Sequence, residues 1–162
     1  MLKILSILFS LMFFNTANAE VLKTTNSFDN SKIVISYFHS KELKIPKTCT
    51  FKKCNSEYYL TLTNSNKSYL ISTLEPIKIK TDNTIYSVNT NAFTSNSGYR
   101  QLITAFIPQN IIQNISIASQ ITLQVPAIKQ PVDIDEKNLI SYLIVDIPQN
   151  YIEEWKQVIN MN

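Results

Sequence analysis

Residues 98–128 read GYRQLITAFIPQNIIQNISIASQITLQVPAI, a stretch whose pattern is strand, short helix, strand. An apolar run ends at Ile107-Pro108, and Ile111, Ile112, Ile115 and Ala118 then follow at helical spacing. Proline has no backbone donor and holds φ near the helical value, so it suits the start of a helix. A second apolar run resumes at Ile121 and continues to Ile128.

The chain closes on an echo of this unit. Ile107-Pro108-Gln109-Asn110 recurs forty residues later as Ile147-Pro148-Gln149-Asn150. After Pro148, Tyr151, Ile152, Trp155, Val158 and Ile159 fall on one face of a 3.6-residue period, which predicts an amphipathic C-terminal helix. Asp146 and Gln149 have the spacing of a capping box, and Glu153 and Glu154 lie where the positive end of a helix dipole favours acids. Two units are too few for a repeat array, so the echo concerns local architecture.

At the front, Lys3 precedes the apolar run Ile4 to Phe14, and Ala17-Asn18-Ala19 supplies the small residues of a cleavage site. That is the pattern of a secretory signal, residues 1–19, cut after Ala19. The run is shorter than the roughly 20 apolar residues that span a bilayer, and no later run is long enough either. The expectation is a single exported domain over residues 20–162, periplasmic or secreted, with no integral membrane segment after cleavage. The formal net charge of +3 loses one unit with Lys3, too little to indicate nucleic acid or a membrane surface as partner.

Cys49 and Cys54 have four residues between them, and in an oxidising compartment they predict a disulfide across a tight loop. A metal site lacks neighbouring ligands, and a redox pair usually has two intervening residues. Cys49 lies in, and Cys54 directly follows, the most basic stretch, His39 to Lys53, which reads as a loop or small electropositive lobe. Within it Lys47, Lys52 and Lys53 are the candidate binding residues.

Around these landmarks the sequence reads as β-rich. Residues 20–30 form a polar arm or edge strand, and KIVISYF at 32–38 is a strand. Residues 57–63 and 67–74 suggest a hairpin turning at Asn64-Ser65-Asn66, and 77–80 and 85–88 a second one turning at residues 81–84. Residues 89–97 read as a polar loop holding Phe93, and 139–147 as the last strand. With seventeen Asn and one Gly, most turns must be built from Asn, Asp and Ser. The sum is about eight strands in an α+β domain: a twisted, mainly antiparallel sheet with a short central helix and a C-terminal helix packed on it. A β-sandwich is the alternative and would require residues 111–118 to be extended.

Groups that carry chemistry are sparse. His39 is the sole histidine, Gly98 the sole glycine, and no phosphate-cradling loop or metal-ligand spacing occurs. Asp133, Asp135 and Glu136 form the densest acidic group but lack the spacing of a calcium loop. Tyr58, Tyr59, Tyr69, Tyr86, Tyr99 and Tyr142 suit a sugar- or peptide-binding face and equally suit strand propensity. No cofactor and no metal are implied. The reading is a non-enzymatic, macromolecule-binding module whose partner is a protein or envelope component, with a periplasmic inhibitor or immunity-type protein its most concrete form. The alternatives are a cell-envelope-acting enzyme using His39 with the Asp133–Glu136 carboxylates, and an accessory factor or subunit of an envelope assembly or adhesin.

Overall fold

The computed structural model describes residues 21–39, 46, 48–66, 68–94, 101–130 and 140–161. The signal-like segment 1–19, Lys47, Gly98, Tyr99 and the acidic group Asp133, Asp135 and Glu136 lie outside the described residues, as does the His39 side chain.

Eleven strands and two helices occur among the described residues. A six-stranded antiparallel sheet begins with β1 (Val21–Thr25), β2 (Lys32–His39), β3 (Thr48–Cys54) and β4 (Glu57–Asn64), each paired to the next. The chain then crosses to a second sheet through β5 (Tyr69–Ile71) and the hairpin β6 (Ile77–Thr81) and β7 (Thr84–Val88). It returns to the first sheet as β8 (Thr90–Thr94) and β9 (Gln101–Ile107), giving the order β1-β2-β3-β4-β9-β8. After α1 (Gln109–Ile117), β10 (Ile121–Lys129) and β11 (Ile140–Asp146) complete the second sheet, and α2 (Gln149–Asn160) ends the fold. The second sheet runs β11-β10-β6-β7, with β5 paired to β10 beyond the end of β6.

The fold is thus α+β and antiparallel, with the short central helix and the C-terminal helix in place. The strands divide between two sheets, a feature of the sandwich alternative, but residues 109–117 are helical. Strands β9 and β10 flank α1 without pairing, because they belong to different sheets. One core lies between the sheets and is closed by both helices. Phe51, Leu60, Leu62 and Ile103 enter it from the first sheet, Ile77, Ile79, Leu123 and Val125 from the second. Helix α1 adds Ile111, Ile112 and Ile115, and α2 adds Ile152, Trp155 and Val158.

The echo has a structural counterpart. Pro108 and Pro148 adopt the same conformation, φ −61°, ψ 152° and φ −60°, ψ 148°, each in the residue ahead of the helix rather than in its first turn. Each proline carbonyl accepts from the amides three and four residues on. The expected capping box does not form: Asp146 instead accepts from Thr122 Oγ1 at 2.7 Å, across the β10–β11 pair.

Several expectations are corrected. The basic stretch contains most of β3, whose Cys49 and Phe51 face the core while Thr50 and Lys52 point to the outer face, so its charge masked a strand. Thr90–Thr94 is an edge strand and not a polar loop. The chain after Asn64 does not fold back on β4. Strand β5 pairs with β10, and side-chain amides join the sheets instead. Gln101 Oε1 accepts from the Ile71 amide at 2.7 Å, Gln101 Nε2 donates to the Ile71 carbonyl at 3.1 Å, and Asn64 Nδ2 donates to Gln101 Oε1 and to the Tyr69 carbonyl.

The disulfide is also overturned. Cys49 and Cys54 are free thiols on one continuous strand. Five residues of extended chain separate their Cα atoms by about 16 Å, more than twice what a disulfide spans. An odd separation also points the two side chains to opposite faces. Burial pushes the Cys49 thiol up to about 12, so it is an inert core group. Turns do rely on Asn and Asp: among the described residues those with positive φ are Asn30, Asn55 and Asp82, and the β6–β7 hairpin turns at Asp82-Asn83 as expected.

Candidate functional site

Two places hold side chains that the core alone does not account for. The first is the outer face of the six-stranded sheet. Alternation on β4 sends Tyr58, Leu60 and Leu62 inward and leaves Tyr59, Thr61 and Thr63 outside. Strand register carries this division across the sheet, so Leu22, Ile35, Lys52, Tyr59 and Phe106 form one ladder over β1, β2, β3, β4 and β9. The neighbouring row is Tyr37, Thr50, Thr61, Thr104 and Asn91, and the next contains Thr48, Thr63 and Leu102.

Leu22, Tyr37, Leu102 and Phe106 are 42–52% exposed, a substantial apolar area left in water. Phe106 packs edge-on against Tyr59 with ring centroids 5.9 Å apart, and Lys52 Nζ lies 5.5 Å from the Tyr59 ring centre. The Tyr59 hydroxyl donates to the Glu57 carboxylate, and that bond raises the Tyr59 phenol above its usual range. Thr61 and Thr104 hydroxyls pair at 3.3 Å, and those of Thr48 and Thr63 also pair. Helix α2 packs on the opposite side of this sheet, where Trp155 stacks on Phe51 with ring centroids 4.7 Å apart.

The second place is beneath α2. Glu154, read from sequence as a helix-start acid, is buried, and its Oε2 accepts from Ser36 Oγ at 2.5 Å. Oε1 has no partner, nor does the neighbouring Trp155 Nε1. Burial raises the Glu154 carboxyl above the ordinary range, opposed by the Ser36 bond. Glu153, by contrast, faces water and pairs with Lys156 at 2.9 Å.

The structure separates the candidate lysines. Lys52 stands in the outer ladder. Lys53 points to the other face, where Nζ donates to the Met161 carbonyl at 2.6 Å and to that of Ile159 at 3.3 Å. It satisfies carbonyls at the end of α2, a structural duty that complements the helix dipole. The tyrosines likewise divide: Tyr58 is buried, Tyr69 and Tyr86 pack against the core, Tyr59 faces out, and Tyr142 is exposed on the second sheet with its hydroxyl bonded to Glu75. The outer ladder was missed because it depends on which alternate set of each strand faces outward. The Glu154–Ser36 pair was missed because 118 positions separate its members.

No group of three or more potential metal ligands occurs among the described residues, and no helix among them is long and apolar enough to cross a membrane. No family model matches the sequence, and no curated protein matches it. The fold is similar to the crystal structure of invasion associated protein B from Bartonella henselae, with a TM-score of 0.51 at 7% identity over 87% of this chain and 92% of that one. At that identity the likeness concerns the fold.

Proposed function

We propose that the protein is an exported, non-enzymatic binding module of the bacterial envelope that engages a partner protein through the outer face of its six-stranded sheet. The observation that carries this reading is the cross-strand ladder Leu22–Ile35–Lys52–Tyr59–Phe106. Its composition matches the centre of a protein interface: aromatic and aliphatic anchors around one cation, rimmed by threonine hydroxyls. The signal-like residues 1–19 support export, and the fold shared with a bacterial protein described as invasion associated fits an envelope setting. An inhibitor or immunity-type protein, which acts by covering a partner's surface, is the concrete form. Lys52 then meets an acidic group on the partner, and Lys53 has no part in binding.

The test is crosslinking and affinity capture of the tagged chain, exported by its own signal, followed by quantitative binding to the protein recovered. Phe106→Ser is expected to weaken binding about 30-fold or more, the effect of losing an interface anchor. Lys52→Glu is expected to slow association and reduce its salt dependence. Undiminished affinity in Phe106→Ser with an unchanged thermal melt would sink the assignment.

A further inference from the structure

Among the described residues four strands end the two sheets: β1 and β8 in the first, β11 and β7 in the second. Strands β1, β7 and β8 are each five residues long, and β1 carries Lys23. Short length and an edge lysine are common guards against pairing with another chain. Strand β11 has neither. It runs seven residues, ISYLIVD, and its one charge, Asp146, stands at the end and accepts from Thr122. Tyr142 and Ile144 are 44% and 58% exposed on its outer side. The Tyr142 ring is held there by the bond from its hydroxyl to Glu75 and by Lys78 Nζ, 5.9 Å from the ring centre.

The hydrogen bonds already made show which backbone groups of β11 are left over. In an antiparallel strand the N–H and C=O of one residue point to the same side, and successive residues alternate. The Ile121 carbonyl accepts from the Ile147 amide, on the β11 side of β10, and the Pro126 carbonyl accepts from the Ser72 amide, on the β5 side. Odd-numbered residues of β10 therefore bond to β11, and the bonded partners are Leu123 with Val145, Val125 with Leu143 and Ala127 with Ser141. The backbone groups of Ile140, Tyr142, Ile144 and Asp146 point to the open edge, where no backbone partner meets them among the described residues. Such a row of free donors and acceptors takes an extended strand.

We propose that the occupant is a second copy of this chain: β11 pairs antiparallel with its own copy across a two-fold axis and joins the two second sheets into one. Overlap of the whole strand places the axis on Leu143. Tyr142 then meets Ile144 of the second copy and Ile140 meets Asp146, and these are the residues whose backbone groups are free. The Tyr142–Ile144 contact is an aromatic–β-branched pair that covers both exposed side chains, and no like charges face each other. On the inner side Leu143, already packed against the core, meets Leu143 of the second copy. A slip of one residue would set outer side chains against inner ones, and a slip of two would leave bonds at the ends unmade. The axis stands perpendicular to the sheet, so both six-stranded sheets lie on the same side and their outer ladders face the same way. Two ladders on one dimer allow bivalent engagement. The dimer itself does not depend on the function assigned to the ladder.

Sedimentation equilibrium of the purified chain over a range of concentrations is the test. The wild type is expected to reach the mass of two chains. Ile144→Lys, which sets a cation opposite Tyr142 of the second copy and leaves the bonds to β10 in place, is expected to stay at the mass of one with an unchanged thermal melt. Hydrogen exchange reads the register: the Tyr142 and Ile144 amides are expected to slow as concentration rises, and the Leu143 amide, bonded to β10, to change least. In a Cys54→Ser background, Leu143→Cys is expected to give a disulfide-linked pair, because residues opposed on the axis have Cα atoms within about 5.5 Å. A monomer at every concentration overturns the proposal, as does a dimer that Ile144→Lys leaves intact. If Ile144→Lys does not fold, the wild-type exchange pattern decides, since Tyr142 and Ile144 amides indifferent to concentration refute pairing at this edge.

Discussion

Removing Trp155 tests how α2 is held against the six-stranded sheet. Trp155 is 1% exposed and Phe51 fully buried, and the two rings stack with an interplanar angle of 19°. Truncating a buried Trp or Phe to Ala costs about 3–5 kcal/mol through lost transfer energy and the cavity left behind. Against a typical domain stability of about 5–15 kcal/mol, Trp155→Ala should remove about a fifth or more of the total. The stacking itself contributes about 0.5–1.5 kcal/mol beyond area, so a cycle of Trp155→Ala with Phe51→Leu should show coupling of that size. Trp155→Phe should cost less than Trp155→Ala, because it keeps a ring and removes the buried, unpartnered Nε1 donor. Urea unfolding followed by far-UV circular dichroism is the assay, since Trp155 is the single tryptophan and its fluorescence vanishes with it. A cost below about 1 kcal/mol for Trp155→Ala, with an additive cycle, would mean that α2 does not dock on β3.

Gln101→Leu should destabilise the protein by about 2–4 kcal/mol, because the Ile71 amide and carbonyl each lose their partner at a buried position; a loss under 1 kcal/mol in urea would remove the amide bridge from the account of how the sheets are joined. Thiol titration of the purified protein should find two free thiols after denaturation, with Cys54 reacting before unfolding and Cys49 only after it; one disulfide by intact mass would contradict the continuous strand. Asp82 accepts from the Ser119 hydroxyl and from the Ser119 and Gln120 amides, and the Ser119 hydroxyl is the main cause of its lowered pKa. Its folded pKa is depressed, so its contribution to stability is present above the ordinary Asp range and is lost as pH falls through the lowered value. Asp82→Asn, which tolerates the positive φ there, should flatten that acid limb, and an unchanged profile below pH 4 would show the carboxylate to be idle.

Local signals were legible where the chain's nearest neighbours decide the outcome. The β6–β7 hairpin follows from Asp82-Asn83 between alternating strands, and both Ile-Pro steps launch helices because proline sets the same backbone geometry twice. Strand β3 was hidden because Lys52 and Lys53 gave it the charge density of a loop, although alternate positions are core. The same density suggested a basic binding lobe, which the strand's alternation divides between two faces: Lys52 outward, Lys53 onto the end of α2.

The sequence by itself determined an antiparallel α+β chain with a short helix in its middle and an amphipathic helix at its end, since period and turn chemistry are local properties. Tertiary structure alone decided which strands share a sheet. Asn64-Ser65-Asn66 turns the chain equally well toward β4 or away from it, and only pairing with β10 selects the second sheet. It also decided that two cysteines close in sequence point apart, that five residues from five strands make one outer ladder, and that Glu154 lies buried on Ser36. Each of these depends on register between segments distant in sequence, and a shift of one residue would move every side chain of a strand to the other face.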